Sequence, residues 1–357
     1  MKINYKFIEL NKYKTIYVIS DLHGSLEIFN MFIDKVQFSK DDLLIINGDI
    51  FEKGQSSLDL IRRIMFVSNY INLEIVLGNN DTIFNEWGPY YDDADILRYI
   101  SGVNTSVLID MANELKCPYD TLDNIKLLKK LIYERYFNII NFIKDRPHIL
   151  ETEKYIFVHA GIEDKPLDQQ TYEYLLTAKA FANNTNTFNK KIIVGHWPSS
   201  NYSKDIIMIN PYFNNNVISI DGGLSLKNWS QLNYLMINSE VITFDSIDNH
   251  QRILILENQE ESQYYFSLIY PDTKCEVLKQ NSNYSKVYLP YLNKELDVLS
   301  NMIYEYRGNN YLEDYTNYYM KLNKGDIVSF IQKYENDIMI KYNGIISLYK
   351  GQYKVIS

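Results

Sequence analysis

The chain has 357 residues, 46% of them hydrophobic and 23% charged, with a formal net charge of −9 and a pI near 5.2. That length exceeds what one domain normally needs, so two or three units are expected. The negative field argues against general affinity for nucleic acid or anionic membrane; no stretch reaches the ~18 apolar residues of a membrane span, and no apolar leader opens the chain.

Three times in the first eighty residues a short apolar run meets a polar or glycine-bearing turn. Tyr17-Val18-Ile19 leads into DLHG, and Leu26, Phe29, Ile33 and Val36 then recur at helical spacing, with Ser25 placed to cap that helix. Leu43 to Ile46 leads into NGD, followed by a second helical stripe of Leu58, Ile61, Ile64 and Met65. Ile75-Val76-Leu77 leads into GNND. Strands that are apolar throughout, separated by helices, predict a parallel sheet covered on both faces. Its ligand crevice should lie at the carboxyl ends of the strands, where all three polar clusters fall.

Residues 94–146 read as helical and carry no motif. Strand-like runs return before HAG at Tyr155 to Val158, before GHWP at Ile192 to Val194, and before DGG at Val217 to Ile220. An antiparallel pair is expected over 232–237 and 241–244. From about 246 the texture changes to short alternating strands, with turns at Lys324-Gly325-Asp326 and Asn343-Gly344. The two cysteines, Cys117 and Cys275, are far apart and outside any CxxC spacing, which fits a reducing cytoplasm.

Six residues could carry chemistry together: Asp21, His23, Asp49, Asn79, His159 and His196. Three of the five histidines in the chain follow an apolar strand-like run within four residues, and each has Gly within two positions. His148 and His250 have no such context and read as structural or surface. A carboxylate flanked by imidazole and amide groups is what a two-metal hydrolytic site needs, and mixed oxygen and nitrogen donors suit Mn, Fe or Zn.

DLHG, GDIFEKG, GNND, HAG and GHWP, in that order, resemble the motifs of the calcineurin-like metallophosphoesterases. More narrowly they resemble the bacterial PPP-type Ser/Thr phosphatases and their dinucleoside-tetraphosphatase relatives. The resemblance spans residues 14–244 and implies a four-layer α/β sandwich with two central mixed sheets between helices. It implies a catalytic domain over 1–245 with a helical insertion near 94–146, and leaves a β-rich region over 246–357. Residues 320–357 resemble an SH3-like barrel.

By the same resemblance, Asp21 and His23 hold one divalent metal, Asp49 bridges, and Asn79, His159 and His196 complete the second, with manganese the expected ion. The implied reaction is in-line attack by a metal-bridging hydroxide on a phosphomonoester, in a phosphorylated protein or small molecule. Lys53 stands where the family has a phosphate-binding arginine, and Lys179 in LLTAKAF corresponds to a second one or is simply an exposed helix lysine. Asn80 stands where the family has its general-acid histidine, with Asp81 as the carboxylate that orients it. An amide cannot deliver a proton, so acid catalysis should fall by about 10²–10⁴-fold.

That substitution leaves three readings open: an engineered inactivation, a natural phosphopeptide-binding pseudophosphatase, or an enzyme whose leaving group needs no acid. A dinucleoside polyphosphate hydrolase is the alternative of the last kind. The C-terminal region reads equally as a protein-contact module or as a stabilising appendage. The aromatic stretch Trp87 to Tyr91 could wall the substrate site or pack as core.

Overall fold

The computed structural model describes residues 3–86, 92–239, 241–334 and 336–356. It divides into two units, Met1–Ser199 with Pro211–Asn249, and Ser200–Asn210 with His250–Ser357.

The first unit opens with β1 (Tyr5–Phe7), β2 (Ile16–Ile19), α1 (Leu26–Val36), β3 (Leu43–Asn47), α2 (Ser57–Val67) and β4 (Asn72–Val76). The helical stretch follows as α3 (Ile83–Glu86), α4 (Asp93–Ser101), α5 (Val107–Leu115), α6 (Leu122–Arg135) and α7 (Phe137–Lys144). Then come β5 (Ile149–Glu151), β6 (Tyr155–Val158), α8 (Tyr172–Thr177), β7 (Lys191–Val194), β8 (Tyr212–Asn214), β9 (Val217–Ser219), β10 (Leu232–Asn238) and β11 (Val241–Ile247).

Two mixed sheets result, ordered β11-β10-β2-β3-β4 and β1-β5-β6-β7-β9-β8. β2, β3 and β4 pair in parallel, as do β6, β7 and β9. β3 explains why its sequence is apolar throughout. Leu43 and Ile45 point into a core shared with Phe157 and Ile193 of the other sheet, whereas Leu44 and Ile46 face helical residues such as Phe29, Phe32 and Ile61. A strand buried on both faces has no position for a polar side chain.

α1 buries Ile28, Phe29 and Phe32, with Leu26, Ile33 and Val36 partly buried beside them. Ser25 occupies its N-cap position but makes no side-chain capping bond. α4, α5 and α6 are capped by the side chains of Asp92, Ser106 and Thr121.

The second unit contains β12 (Arg252–Ile255), β13 (Ser267–Leu268), β14 (Lys274–Lys279), β15 (Tyr284–Leu289), β16 (Lys294–Leu299) and β17 (Ile303–Tyr306). It continues with β18 (Asn309–Leu312), β19 (Tyr315–Thr316), β20 (Ile327–Lys333), β21 (Ile338–Tyr342), β22 (Ile345–Tyr349) and β23 (Tyr353–Val355). Its two larger sheets are ordered β22-β21-β20-β12-β23 and β16-β15-β14-β18-β17. Asn343 and Gly344, with φ of 52° and 78°, form the two-residue hairpin between β21 and β22. The first of these sheets takes β12 from well upstream of residue 320, and residues 200–210 join this unit although they lie between β7 and β8. Among the described residues no helix is long and apolar enough to cross a membrane.

Candidate metal centre

Each residue singled out in the sequence for metal binding follows a strand of the two mixed sheets. Asp21 and His23 follow β2, Asp49 follows β3, Asn79 follows β4, His159 follows β6 and His196 follows β7. Parallel strands deliver these loops to one end of the sandwich, the carboxyl-end crevice expected of such sheets.

The backbone is bent sharply to achieve this. Asp21, His23, Asp49 and His196 all have positive φ, between 44° and 63°. Each such residue costs on the order of 1–2 kcal/mol, and strain of this kind collects at functional sites. Room for the loops comes from missing side chains. A β-carbon on Gly48, itself at φ +88°, would collide with the His159 ring, and one on Gly195 would collide with the Asp21 carboxylate.

Asp49 sits between two groups of donors. Donor atoms of Asp21, His23 and Asp49 lie within 4.8 Å of one another, and so do those of Asp49, His159 and His196. Its two oxygens divide between the groups. Oδ2 lies 3.7 Å from His23 Nε2, while Oδ1 lies 3.4 Å from His159 Nε2. Asn79 Oδ1 is 3.1 Å from the same His159 nitrogen, and the His196 backbone N–H donates to Asp21 at 3.0 Å. All but Asn79 and His196 are essentially inaccessible.

Electrostatics describe an enclosure short of positive charge. Burial and the neighbouring Asp221 carboxylate hold the Asp21 pKa well above its ordinary range. Burial lowers the His159 pKa, but the Asp49 charge outweighs it and lifts the imidazole to about 10. Burial also opposes ionisation of Asp49, but the positive charges around it hold its carboxyl below its ordinary value. His23 and His196 are depressed by burial to about 4 and about 3.

The donor set fits divalent cations. His23 Nδ1 lies 3.2 Å from the Phe51 carbonyl, leaving a buried Nε2 with no hydrogen-bond partner and facing both carboxylates. His159 Nδ1 likewise meets the Asn47 carbonyl at 3.1 Å. Carbonyl-anchored imidazoles presenting Nε2 toward shared carboxylates are the usual outer-shell arrangement of a metal-binding histidine.

The remaining positions behave differently from one another. Lys53, exposed and at φ 66°, places its charge close enough to act on Asp49, His23, His196 and Asp221. Lys179 lies exposed just past α8. The Asn80 side-chain amide donates to Asp49 Oδ2 at 2.6 Å and its backbone N–H donates to Oδ1 at 2.9 Å. Asp81 makes no hydrogen bond to Asn80. Its oxygens accept from the backbone N–H groups of Asp49, Ile50, Phe51 and Gly78, tying the β3 and β4 loops together. Residues 87–91 lie outside the described residues.

One contributor, Asp221, escaped the sequence reading, as did the bonding role of Glu52. Asp221 follows β9, is fully buried, and has its pKa raised by burial to about 6. Its DGG context follows an apolar run at the same end of the sheet, so the positional signal was present. Glu52, in the GDIFEKG stretch whose resembled motif carries an aspartate at this position, is buried and accepts bonds from the Tyr99 hydroxyl, Ser106 Oγ and the Val107 N–H.

Several known proteins are similar to this chain. A symmetrical bis(5'-nucleosyl)-tetraphosphatase of Aggregatibacter actinomycetemcomitans is 26% identical over 149 residues, covering 41% of this chain and 44% of that protein. The enzyme of that name from Buchnera aphidicola subsp. Schizaphis graminum is 30% identical over 152 residues, covering 42% and 46%. The chain thus matches less than half the length of these curated relatives. The solved structure of a protein assigned as a diadenosine tetraphosphatase is 15% identical, covers 69% of this chain and 99% of its own, and superposes with a TM-score of 0.47. The family model described as calcineurin-like phosphoesterase matches residues 14–219, more than half of the chain and every strand-end loop from Asp21 to His196. The chain belongs to the calcineurin-like phosphoesterase family.

Proposed function

We propose that this chain is a metal-dependent phosphoester hydrolase working with two divalent cations, and that it prefers substrates whose leaving group needs no proton. The observation that carries the first part is the division of the Asp49 carboxylate, one oxygen toward each donor group. Asp21 and His23 would hold one ion, Asn79, His159 and His196 the other, and Asp49 both. Manganese is the expected ion, with iron or zinc compatible with the same donors. A bound pair supplies Lewis acidity and lowers the pKa of water toward neutrality.

The chain's own groups supply the rest. Lys53 brings positive charge to the mouth of the cluster for a phosphate oxygen, as a point charge rather than a bidentate fork. Asn80 can donate a hydrogen bond through its amide but has no proton to give a departing alkoxide. That favours anhydride cleavage, in which a nucleotide phosphate leaves as a stable anion. Curated relatives named as bis(5'-nucleosyl)-tetraphosphatases support the same choice. The phosphomonoester class, with phosphoserine as its demanding member, is therefore the second reading.

Manganese-dependent hydrolysis of a symmetrical dinucleoside tetraphosphate and of a phosphoserine peptide, measured on this chain and on Asn80→His, separates the two. The tetraphosphate should be the better substrate of the unmodified chain. Asn80→His should raise peptide turnover by about 10²-fold or more and the tetraphosphate far less. Equal or reversed substrate rates in the unmodified chain would favour the phosphomonoesterase reading. Absence of turnover by either protein would overturn both.

A further inference from the structure

The second unit holds a cavity that phosphoester chemistry does not use. It measures about 190 Å³, and its lining includes Tyr284, Tyr315, Tyr334, Asp297, Asp337 and Met302. The Tyr315 and Tyr334 rings stand nearly perpendicular, at 87° with centroids 6.5 Å apart, so they form two walls of a corner. Buried Val298, Met302 and Leu348 complete an apolar surface beside them.

Two carboxylates accompany this aromatic corner. Asp337 accepts a hydrogen bond from the Tyr319 hydroxyl at 3.2 Å, and its charge reaches the half-buried Tyr315 phenol. Asp297 is exposed and makes no ion pair or side-chain hydrogen bond with the described residues. None of the described lining residues is Lys, Arg or His. The cavity therefore offers negative charge and aromatic faces without an internal cation.

This chemistry narrows the ligand. Two carboxylates repel phosphate and other anions. A hard metal ion wants six or more converging oxygens, whereas the lining side chains offer only the two carboxylates and the Asn336 amide, and Asp337 is already engaged by the Tyr319 hydroxyl. An organic cation satisfies every wall at once, through methylene contact, the ring quadrupoles and charge pairing. At about 30 Å³ per water the space holds roughly six waters. That admits one cationic head group and excludes a folded segment.

We propose that this cavity binds a compact organic cation, an alkylammonium or guanidinium group carried by a small molecule or by a basic peptide side chain. The test is calorimetric titration of the full chain with tetramethylammonium chloride, with an alanine pentapeptide bearing one central arginine, and with tert-butanol as the neutral control. At least one cation should bind saturably at one per chain while tert-butanol does not. Asp297→Asn, an exposed change that leaves the core intact, should weaken that binding about fivefold, and Tyr334→Phe should largely preserve it. Tighter binding of the pentapeptide assigns the site to peptides, and tighter binding of tetramethylammonium assigns it to small molecules. No saturable binding of either cation, equal binding of tert-butanol, or an unchanged affinity in Asp297→Asn would overturn the proposal.

Discussion

His148 carries a pH dependence that belongs to one residue. Its Nδ1 lies 3.0 Å from the Asn4 N–H, its ring packs edge-on against Tyr172 at 5.1 Å, and it is 2% exposed. An imidazole that accepts a backbone N–H is neutral, and burial lowers its pKa from 6.5 to about 4. A depressed histidine means that the unfolded chain binds the extra proton first. Its contribution is therefore whole above pH 6.5 and is lost as the pH falls from there toward 4. The loss amounts to at most about 3 kcal/mol. Urea unfolding at pH 7 and pH 5 should show a fall in stability that is smaller in His148→Asn, whose amide oxygen can keep the Asn4 bond. An identical pH response in the two proteins would contradict this account. Asp81 teaches a related lesson about roles. Its carboxylate accepts from four backbone N–H groups and so anchors the loops after β3 and β4.

At the scale of elements, Glu52 joins the metal loop after β3 to the helical stretch. Its carboxylate reaches Tyr99 on α4 and both Ser106 and Val107 at the start of α5, while its own N–H donates to Ser57 Oγ of α2. Glu52 and Lys53 both have positive φ, so the loop turns back and keeps the Lys53 charge beside the cluster. Glu52→Gln replaces one acceptor oxygen with a donor and should loosen Lys53 without touching a ligand. The expected result is a KM raised about tenfold, or about 1.4 kcal/mol, with kcat nearly unchanged. A kcat that fell as far as kcat/KM would instead place Glu52 in the chemical step. None of this network was visible in the sequence, because its partners lie 47 to 55 residues away with no periodicity to link them. The strands were legible for the opposite reason. β3 and β6 are sandwiched on both faces, so their apolar runs stand out locally, and the polar residue that ends each run marks the crevice.

Over the whole molecule, legibility fell where distant segments pair. Residues 200–210 lie in sequence between β7 and β8, yet Ile207 and Ile209 are fully buried in the second unit, and their backbones bond to Ile346 of β22 and to Gly344 in the turn before it. No local signal marks a strand partner more than a hundred residues away. Asp221 was missed for a milder reason, since DGG looks like an ordinary turn until its aspartate is found buried near Asp21. The clustering of the candidate donors was legible because each of them follows a strand, and the parallel arrangement of those strands does the gathering.

Shared ownership of Asp49 is the centre of the account, and metal stoichiometry tests it most directly. Chain stripped with chelator should take up two Mn²⁺ ions by calorimetric titration. Asp49→Ala should lose tight binding of both, because one carboxylate serves both donor groups. Two tightly held ions in Asp49→Ala, or no saturable uptake by the unmodified chain, would contradict it.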